Sequence, residues 1–434
     1  MKKPKFSHYV KPIVLAVSIA LLSSQAMAEG SVEERLDAMQ KQLDEMKKLQ
    51  NQVDSLKAQL AQERNDRDAD KDMMMQATAT AKAASLKTNN DTTVGGYGEI
   101  VYNNFKDSDA HPTKADLRRF VFGIEHHFND KLSLHSEVEI EHAIASATDG
   151  GEVALEQAYL NYSFNDAANV KAGLFLMPLG FLNLYHEPPV FYGVNRNEVE
   201  TRIIPTTWRE GGIGLHGHLE NGFGYDVGLV TGFDAGKIDE PALGVRSGHQ
   251  ELAEANAQNL SVYGSVKYTG QPGLLLAAGL FTGDTGQNGA TNIALKNVDA
   301  RLTLAEVHAR YTAHGFDLQA LYARGHLGDA AQVTTAIGAA APDSFYGWYT
   351  QAAYHLWNNG EMDFAPFVRY EKFDIGQKED IAAGFLRDET ARDSITTVGF
   401  NFKPHSDVVL KADYQHYQRD RGNSSFNLGI GYMF

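Results

Sequence analysis

From about residue 93 to the end of the chain, apolar residues alternate with polar or small ones over short runs, and the last run shows the pattern most plainly. Across residues 425–434, Phe426, Leu428, Ile430, Tyr432 and Phe434 fall on one face, with Asn427, Gly429, Gly431 and Met433 on the other. A period of two predicts a β-strand whose faces meet different surroundings. A strand of a soluble sandwich turns charges to water, whereas here the non-apolar face carries small and uncharged groups. Sixteen such strands are predicted, beginning near Thr93, Asp116, Leu132, Glu152, Val170, Gly212, Phe223, Leu260, Leu274, Leu302, Phe316, Tyr346, Asp363, Ser394, Val408 and Ser425.

The connections alternate in length. Tight turns rich in Asn, Gly, Asp and Pro fall at 129–130, 165–169, 220–222, 269–273, 313–315, 358–362 and 404–407, and every other connection is longer. Short turns on one side and long loops on the other predict an all-β, 16-stranded antiparallel transmembrane β-barrel over 92–434. Its first and last strands must pair, because an open edge in lipid strands N–H and C=O groups without partners. An even count places both barrel termini on the short-turn side. A propeller would repeat a blade every 40–50 residues, and no such repeat is present. A trimeric autotransporter anchor would give only a few strands per chain.

Before residue 90 the period changes. Val32, Leu36, Met39, Leu43, Met46, Leu49, Val53, Leu56 and Leu60 recur in steps of three and four, a heptad seam with one stammer. Its narrow stripe predicts a coiled coil over 29–65, against the alternative of a lone amphipathic helix, followed by a polar linker over 66–91. Residues 1–28 read as a signal peptide: a basic start, an apolar run at 13–22 too short to span, and Ala26-Met27-Ala28 as the cleavage site. The expected location is therefore the outer membrane of a bacterial cell, with the coiled coil in the periplasm.

Charge narrows the partners. The net charge of −16, made more acidic by removal of the leader lysines, argues against nucleic acid. The absence of Cys excludes disulfides and thiolate metal sites.

A carboxylate facing hydrocarbon is strongly disfavoured, so charged strand faces should point to the lumen. This makes Glu99, Arg119, Glu125, Glu137, Glu139, Lys171, Glu306, Arg310, Arg369, Glu371, Lys411 and Asp413 lumen candidates. Glu156 breaks the rule, sharing a phase with Ala158, Leu160, Tyr162 and Phe164, and requires a bulge or a position outside the hydrocarbon band. Sixteen strands enclose an aqueous bore. The third long connection, 181–210, is expected to fold into it and narrow it. That segment carries aromatics, three Pro and both signs of charge in His186, Glu187, Arg196, Glu198, Glu200, Arg202, Arg209 and Glu210.

The stretches V-G-G-Y-G-E-I-V-Y-N (94–103), L-R-R-F-V-F-G-I-E-H-H-F (117–128), G-L-F-L-M-P-L-G (173–180), H-E-P-P-V-F-Y-G-V (186–194) and I-I-P-T-T-W-R-E-G-G (203–212) resemble the phosphate-selective porin O and P family. The resemblance covers most of the barrel and implies a homotrimeric diffusion channel with an inward third loop. Phosphate-selective members line the pore with Arg and Lys. Arg118-Arg119 resembles an arginine pair used there, although only Arg119 lies on the expected lumen phase. The remaining lumen candidates contain more carboxylates than cations, which predicts weak cation preference or near-neutral selectivity for small solutes or ions. The aromatic C-terminus, Phe434, resembles the signal read by the barrel-assembly machinery, its face directed to lipid.

Other chemistry is weaker. His126-His127 and the stripe His135, Glu137, Glu139, Glu141 offer metal ligands, but strand neighbours two apart are about 6–7 Å apart and need help from an adjacent strand, so a solvated wall is expected, with no metal or cofactor assigned. No G-x-S-x-G elbow or other nucleophile signature is present, so no enzyme is expected. The coiled coil leaves a third class open: an envelope tether to peptidoglycan in which the pore is secondary.

Overall fold

The computed structural model describes residues 40, 41, 43, 44, 47, 48, 91–107, 109, 111–240, 243–360, 362–376 and 389–434. The expected signal peptide, most of the expected coiled-coil segment and nearly all of the expected linker lie outside the described residues. The six described positions of the amino-terminal unit, among them Leu43, are helical.

The second unit is a barrel of sixteen long strands: β1 (Thr92–Phe105), β2 (Lys114–His127), β3 (Leu132–Glu141), β4 (Val153–Asn165), β5 (Ala168–Leu176), β6 (Arg209–His218), β7 (Phe223–Val230), β8 (Ser261–Gln271), β9 (Leu274–Asp284), β10 (Arg301–Ala313), β11 (Phe316–Leu327), β12 (Ser344–Tyr354), β13 (Asp363–Asp374), β14 (Arg392–His405), β15 (Val408–Tyr417) and β16 (Ser425–Met433). Each begins within three residues of its expected start. Neighbours pair antiparallel in chain order, and β16 returns to β1 with Tyr97 opposite Met433 and Phe105 opposite Ser425. That last pairing leaves the sheet without an edge. A two-residue strand, Trp357–Asn358, adds to the start of β13.

The turns explain themselves chemically. The Asn129 side chain accepts from the N–H groups of Lys131 and Leu132, closing the β2–β3 turn. His314 and Gly315 both take positive φ, 54° and 84°, the backbone that a two-residue hairpin between right-twisted strands demands.

Alternation along the strands separates two surfaces. Ile100, Tyr102, Phe122, Leu160, Val227, Leu280 and Ile430 are exposed on the outer face, while their neighbours are buried or half-buried inside. Phe434 is exposed on that same outer face, its ring stacked on Phe120 at 6.2 Å between centroids. Its backbone exchanges two hydrogen bonds with Gly96, at 3.0 and 2.9 Å, at the closing seam.

The segment between β5 and β6 supplies Met177, Leu179, Val199, Ile203, Ile204 and Trp208, all fully buried in one apolar cluster with Phe175 and Phe281 of the wall. Trp208 meets Phe281 edge-on at 4.6 Å and Phe233 at 5.1 Å. Burial of that much aromatic and aliphatic surface fixes the loop against the wall.

Candidate functional site

The third long connection covers 177–208, because Arg209 and Glu210 begin β6; the expected boundary of 210 is two residues too late. Its base is tied by one side chain. Asn183 donates through Nδ2 to the carbonyls of Met177 (2.6 Å) and Trp208 (2.9 Å), and accepts from the Trp208 N–H (2.6 Å). At its centre Glu200 is fully buried and accepts from the Phe181 and Leu182 N–H groups and from the hydroxyl of Tyr349 on β12, at 2.7–2.8 Å. Burial pushes this carboxyl up from its ordinary value, and the donated hydrogen bonds act against that shift. The one-turn helix Glu198–Arg202 is capped by Asn197, whose side chain accepts from the Glu200 N–H. Arg202 closes the turn onto Glu198 at 2.5 Å.

The tip reaches inward side chains of distant strands. Lys411 on β15 donates to the carbonyls of Phe191 (2.9 Å) and Gly193 (2.8 Å) and stands 3.6 Å above the Phe191 ring. Asp413 accepts from the Val194 N–H at 2.6 Å, and Asn401 on β14 donates to Phe191. On β13, Arg369 donates to the Tyr192 carbonyl, and Glu371 accepts from the Glu198 N–H at 2.7 Å. Asn195 receives hydrogen bonds from Asn103 on β1 and Arg118 on β2. The loop therefore touches walls on both sides of the barrel seam.

Arg118 corrects an expectation. The β1–β2 register pairs Glu99 with Arg119 but Ile100 with Leu117, so Arg118 is the extra residue of a bulge. A bulge re-aims a side chain, and here both members of the arginine pair point inward. Glu156 is explained in the same way: Glu137 faces Gln157 while Val138 faces Leu155, which leaves Glu156 bulged and fully buried inside.

Arg119 lies within ion-pair distance of Glu99 (2.9 Å), Glu139 (3.3 Å) and Glu141 (3.7 Å). Arg119, Glu139 and Glu141, with the loop's Arg196, surround a polar cavity of about 110 Å³ shared with Arg209 and Arg246. Glu139, Glu141, Glu152 and Glu251 supply its negative side, and Arg209 pairs with Glu251 at 3.0 Å. Arg196 donates to Thr207, and its Nε and Nη2 have no hydrogen-bond partner among the described residues. Glu125 stands instead beside His127 and His135, and Arg310 pairs with Asp317; neither lines this cavity. His186 and Glu187 are buried in the first half of the loop. Burial pushes the Glu187 carboxyl up to about 7, and the nearby Glu156 charge adds to the rise.

The histidine-carboxylate stripe of β3 disperses. His135 stacks on Tyr159 at 4.9 Å, while Glu139 and Glu141 turn to Arg119. Sequence reasoning named Arg118 but placed it off the lumen phase, and it missed Asn195, Arg246 and Glu251. The connection between β7 and β8 is nearly as long as the third, and that length was the available signal for Arg246 and Glu251.

Residues 95–427 match the family model for phosphate-selective porin O and P. The chain belongs to that family. A porin of this family has an outer-membrane β-barrel, and the strands just described supply it. The porin is also 30% identical over 356 residues to an uncharacterized protein of Aquifex aeolicus, with 79% of each chain covered. Among solved structures it is similar to the outer-membrane channel DcaP of Acinetobacter baumannii (TM-score 0.52, 12% identity, 79% of this chain and 97% of that one). It is also similar to an OmpT loop-deletion mutant from Vibrio cholerae (0.51, 13%, 80% and 100%) and to an anion-selective porin from Comamonas acidovorans (0.50, 13%, 79% and 99%). At these identities the solved structures establish the fold shared by this porin, an all-β antiparallel barrel.

Proposed function

We propose that this porin is a water-filled outer-membrane channel for passive diffusion of small hydrophilic solutes or ions, narrowed by its third long loop. The observation that carries the reading is the set of hydrogen bonds in which Lys411 donates to the Phe191 and Gly193 carbonyls and Asp413 accepts from the Val194 N–H. A loop tied in that way to inward side chains of the wall narrows whatever path runs past it. Selectivity follows from charge close to that point, since screening limits each exposed charge to about 8–10 Å at physiological salt. Four arginines and four glutamates line the cavity beside the loop. This balance supports weak cation preference or near-neutral selectivity. Reversal potentials in chloride, phosphate and a large organic cation, measured on single channels, test it: small potentials of either sign are expected.

A phosphate-selective channel is the second reading, favoured by one observation. Arg118 and Arg119 both point inward, and Arg196 keeps buried donors unspent beside them. Strong anion selectivity with block by micromolar phosphate would establish that reading and overturn the first. The heptad seam and the family resemblance further support a homotrimer with a periplasmic coiled coil, and Phe434 is proposed as the assembly signal.

A further inference from the structure

We infer that Glu137, Glu156 and His186 form a divalent-cation site that fastens the third loop to the wall, with zinc as the ion that best fits. One carboxylate oxygen from each glutamate and one imidazole nitrogen lie within 4.8 Å of one another. The three come from β3, from the bulge of β4 and from the loop, so the adjacent strand that a lone β3 stripe would need is supplied by the bulge.

The hydrogen-bond pattern prepares these atoms for an ion. His186 Nδ1 stands 3.2 Å from the Asn183 carbonyl. A carbonyl can only accept, so Nδ1 carries the proton and Nε2 faces the glutamates. An imidazole oriented through its other nitrogen by a backbone carbonyl is the usual support of a metal-binding histidine. Glu137 Oε2 is held by Gln157 Nε2 at 2.6 Å, and Glu156 Oε2 accepts from the Tyr97 hydroxyl at 3.3 Å. Glu156 Oε1 and His186 Nε2 have no hydrogen-bond partner among the described residues, although Glu156 is fully buried and His186 is 3% exposed.

Distance separates an ion from a proton as the missing partner. His186 Nε2 lies 3.5 Å from Glu156 Oε2. A charge-assisted N–H···O bond would draw them to about 2.7–2.9 Å. Two ligands at about 2.0–2.1 Å from a tetrahedral zinc stand about 3.4 Å apart. The Nε2–Oε2 gap is close to that ligand separation, and the third ligand atom, from Glu137, lies within 4.8 Å of both. Charge points the same way, because two glutamates meet at this point while the neighbouring cation Arg119 is engaged by Glu99 and Glu139. One imidazole with two carboxylates suits zinc and neighbouring first-row divalent ions better than magnesium or calcium. The proposal does not depend on what the channel conducts.

The test uses the full chain in detergent, stripped with EDTA, equilibrated with micromolar zinc chloride and desalted. Stoichiometric zinc by mass spectrometry is expected for the wild type. His186→Ala and Glu137→Gln should each lower retained zinc at least about tenfold, since losing even a group that only supports a ligand costs about 10–100-fold in affinity. His405→Ala, at an exposed turn, should leave it unchanged. Heat-modifiable migration shows whether each barrel has folded, and His186→Ala decides the matter if the strand variant does not fold, because its residue lies in the loop. Cobalt-loaded wild type should also show a visible d–d band that His186→Ala lacks. A wild type that retains no zinc, or a folded His186→Ala that retains as much as wild type, overturns the site while leaving the channel reading intact.

Discussion

At the scale of single residues, an inward side chain is placed by strand phase and then used by whatever the loop brings to it. Phase was legible in the sequence: Glu99, Arg119, Glu139, Arg369, Glu371 and Lys411 are all buried inside. Their partners were not, because Lys411 finds carbonyls of Phe191 and Gly193 more than two hundred positions away. Nor were the bulges, since one extra residue shifts phase without any change of composition; Glu156 gave itself away only by its charge. Lys411→Met removes two charge-assisted hydrogen bonds, each worth about 1.5–3 kcal/mol. It should loosen the loop tip, seen as larger and noisier single-channel conductance with the barrel still folded. Glu187 adds a pH dependence. Its docked carboxyl keeps a proton up to about 7, whereas in an undocked loop it would release it near its ordinary value of 4.5. Docking is then fullest below that lower value and weakens as pH rises towards 7. Hydrogen exchange of the 181–193 segment, corrected for intrinsic rate, should be faster at pH 8 than at pH 5, and Glu187→Gln should flatten the difference.

At the scale of elements, alternation located the sixteen long strands, because lipid on one side and polar groups on the other leave a period-two record. The loops were legible only as lengths and compositions. The aromatics of the third loop announced that it would pack, while the identity of its floor, Phe175 and Phe281 on strands far apart in the chain, depends on closure of the barrel. The last strand shows how one element serves two ends. The backbone of Phe434 closes the seam through Gly96, and its ring lies outside against Phe120. Phe434→Ala keeps the backbone bonds and removes the ring. It should therefore lower the amount of barrel assembled in the outer membrane while leaving the barrels that do form heat-modifiable on gels. Unchanged yield would separate the terminal aromatic from assembly.

At the scale of the whole molecule, a heptad seam beside a barrel of this family predicts association at two places. Deleting 31–63 should leave barrels that still associate, by light scattering in mild detergent, but come apart at a lower temperature than the full chain. A monomeric full-length protein would remove the trimer altogether. Selectivity is also a property of the assembled lumen, and counting charges along strands gave only a bound on it. The count favoured carboxylates, yet Glu99 and Glu139 lie against Arg119, and Arg310 against Asp317, so much of the wall is paired before any solute arrives. What remains near the loop is close to balance, with Arg196 holding unspent donors. The pairing makes the consequence of substitution unequal. Glu139→Gln relieves Arg119 of one partner, and with Glu137→Gln in chelator-treated buffer it should move the reversal potential towards anions. Arg119→Ala leaves Glu99, Glu139 and Glu141 without their shared cation and should move it towards cations by a larger step, because three carboxylates are released by one change. Equal steps in both directions would mean that mobile ions see these groups as separate charges, and that the ion pairs do not set the field at the narrowest point.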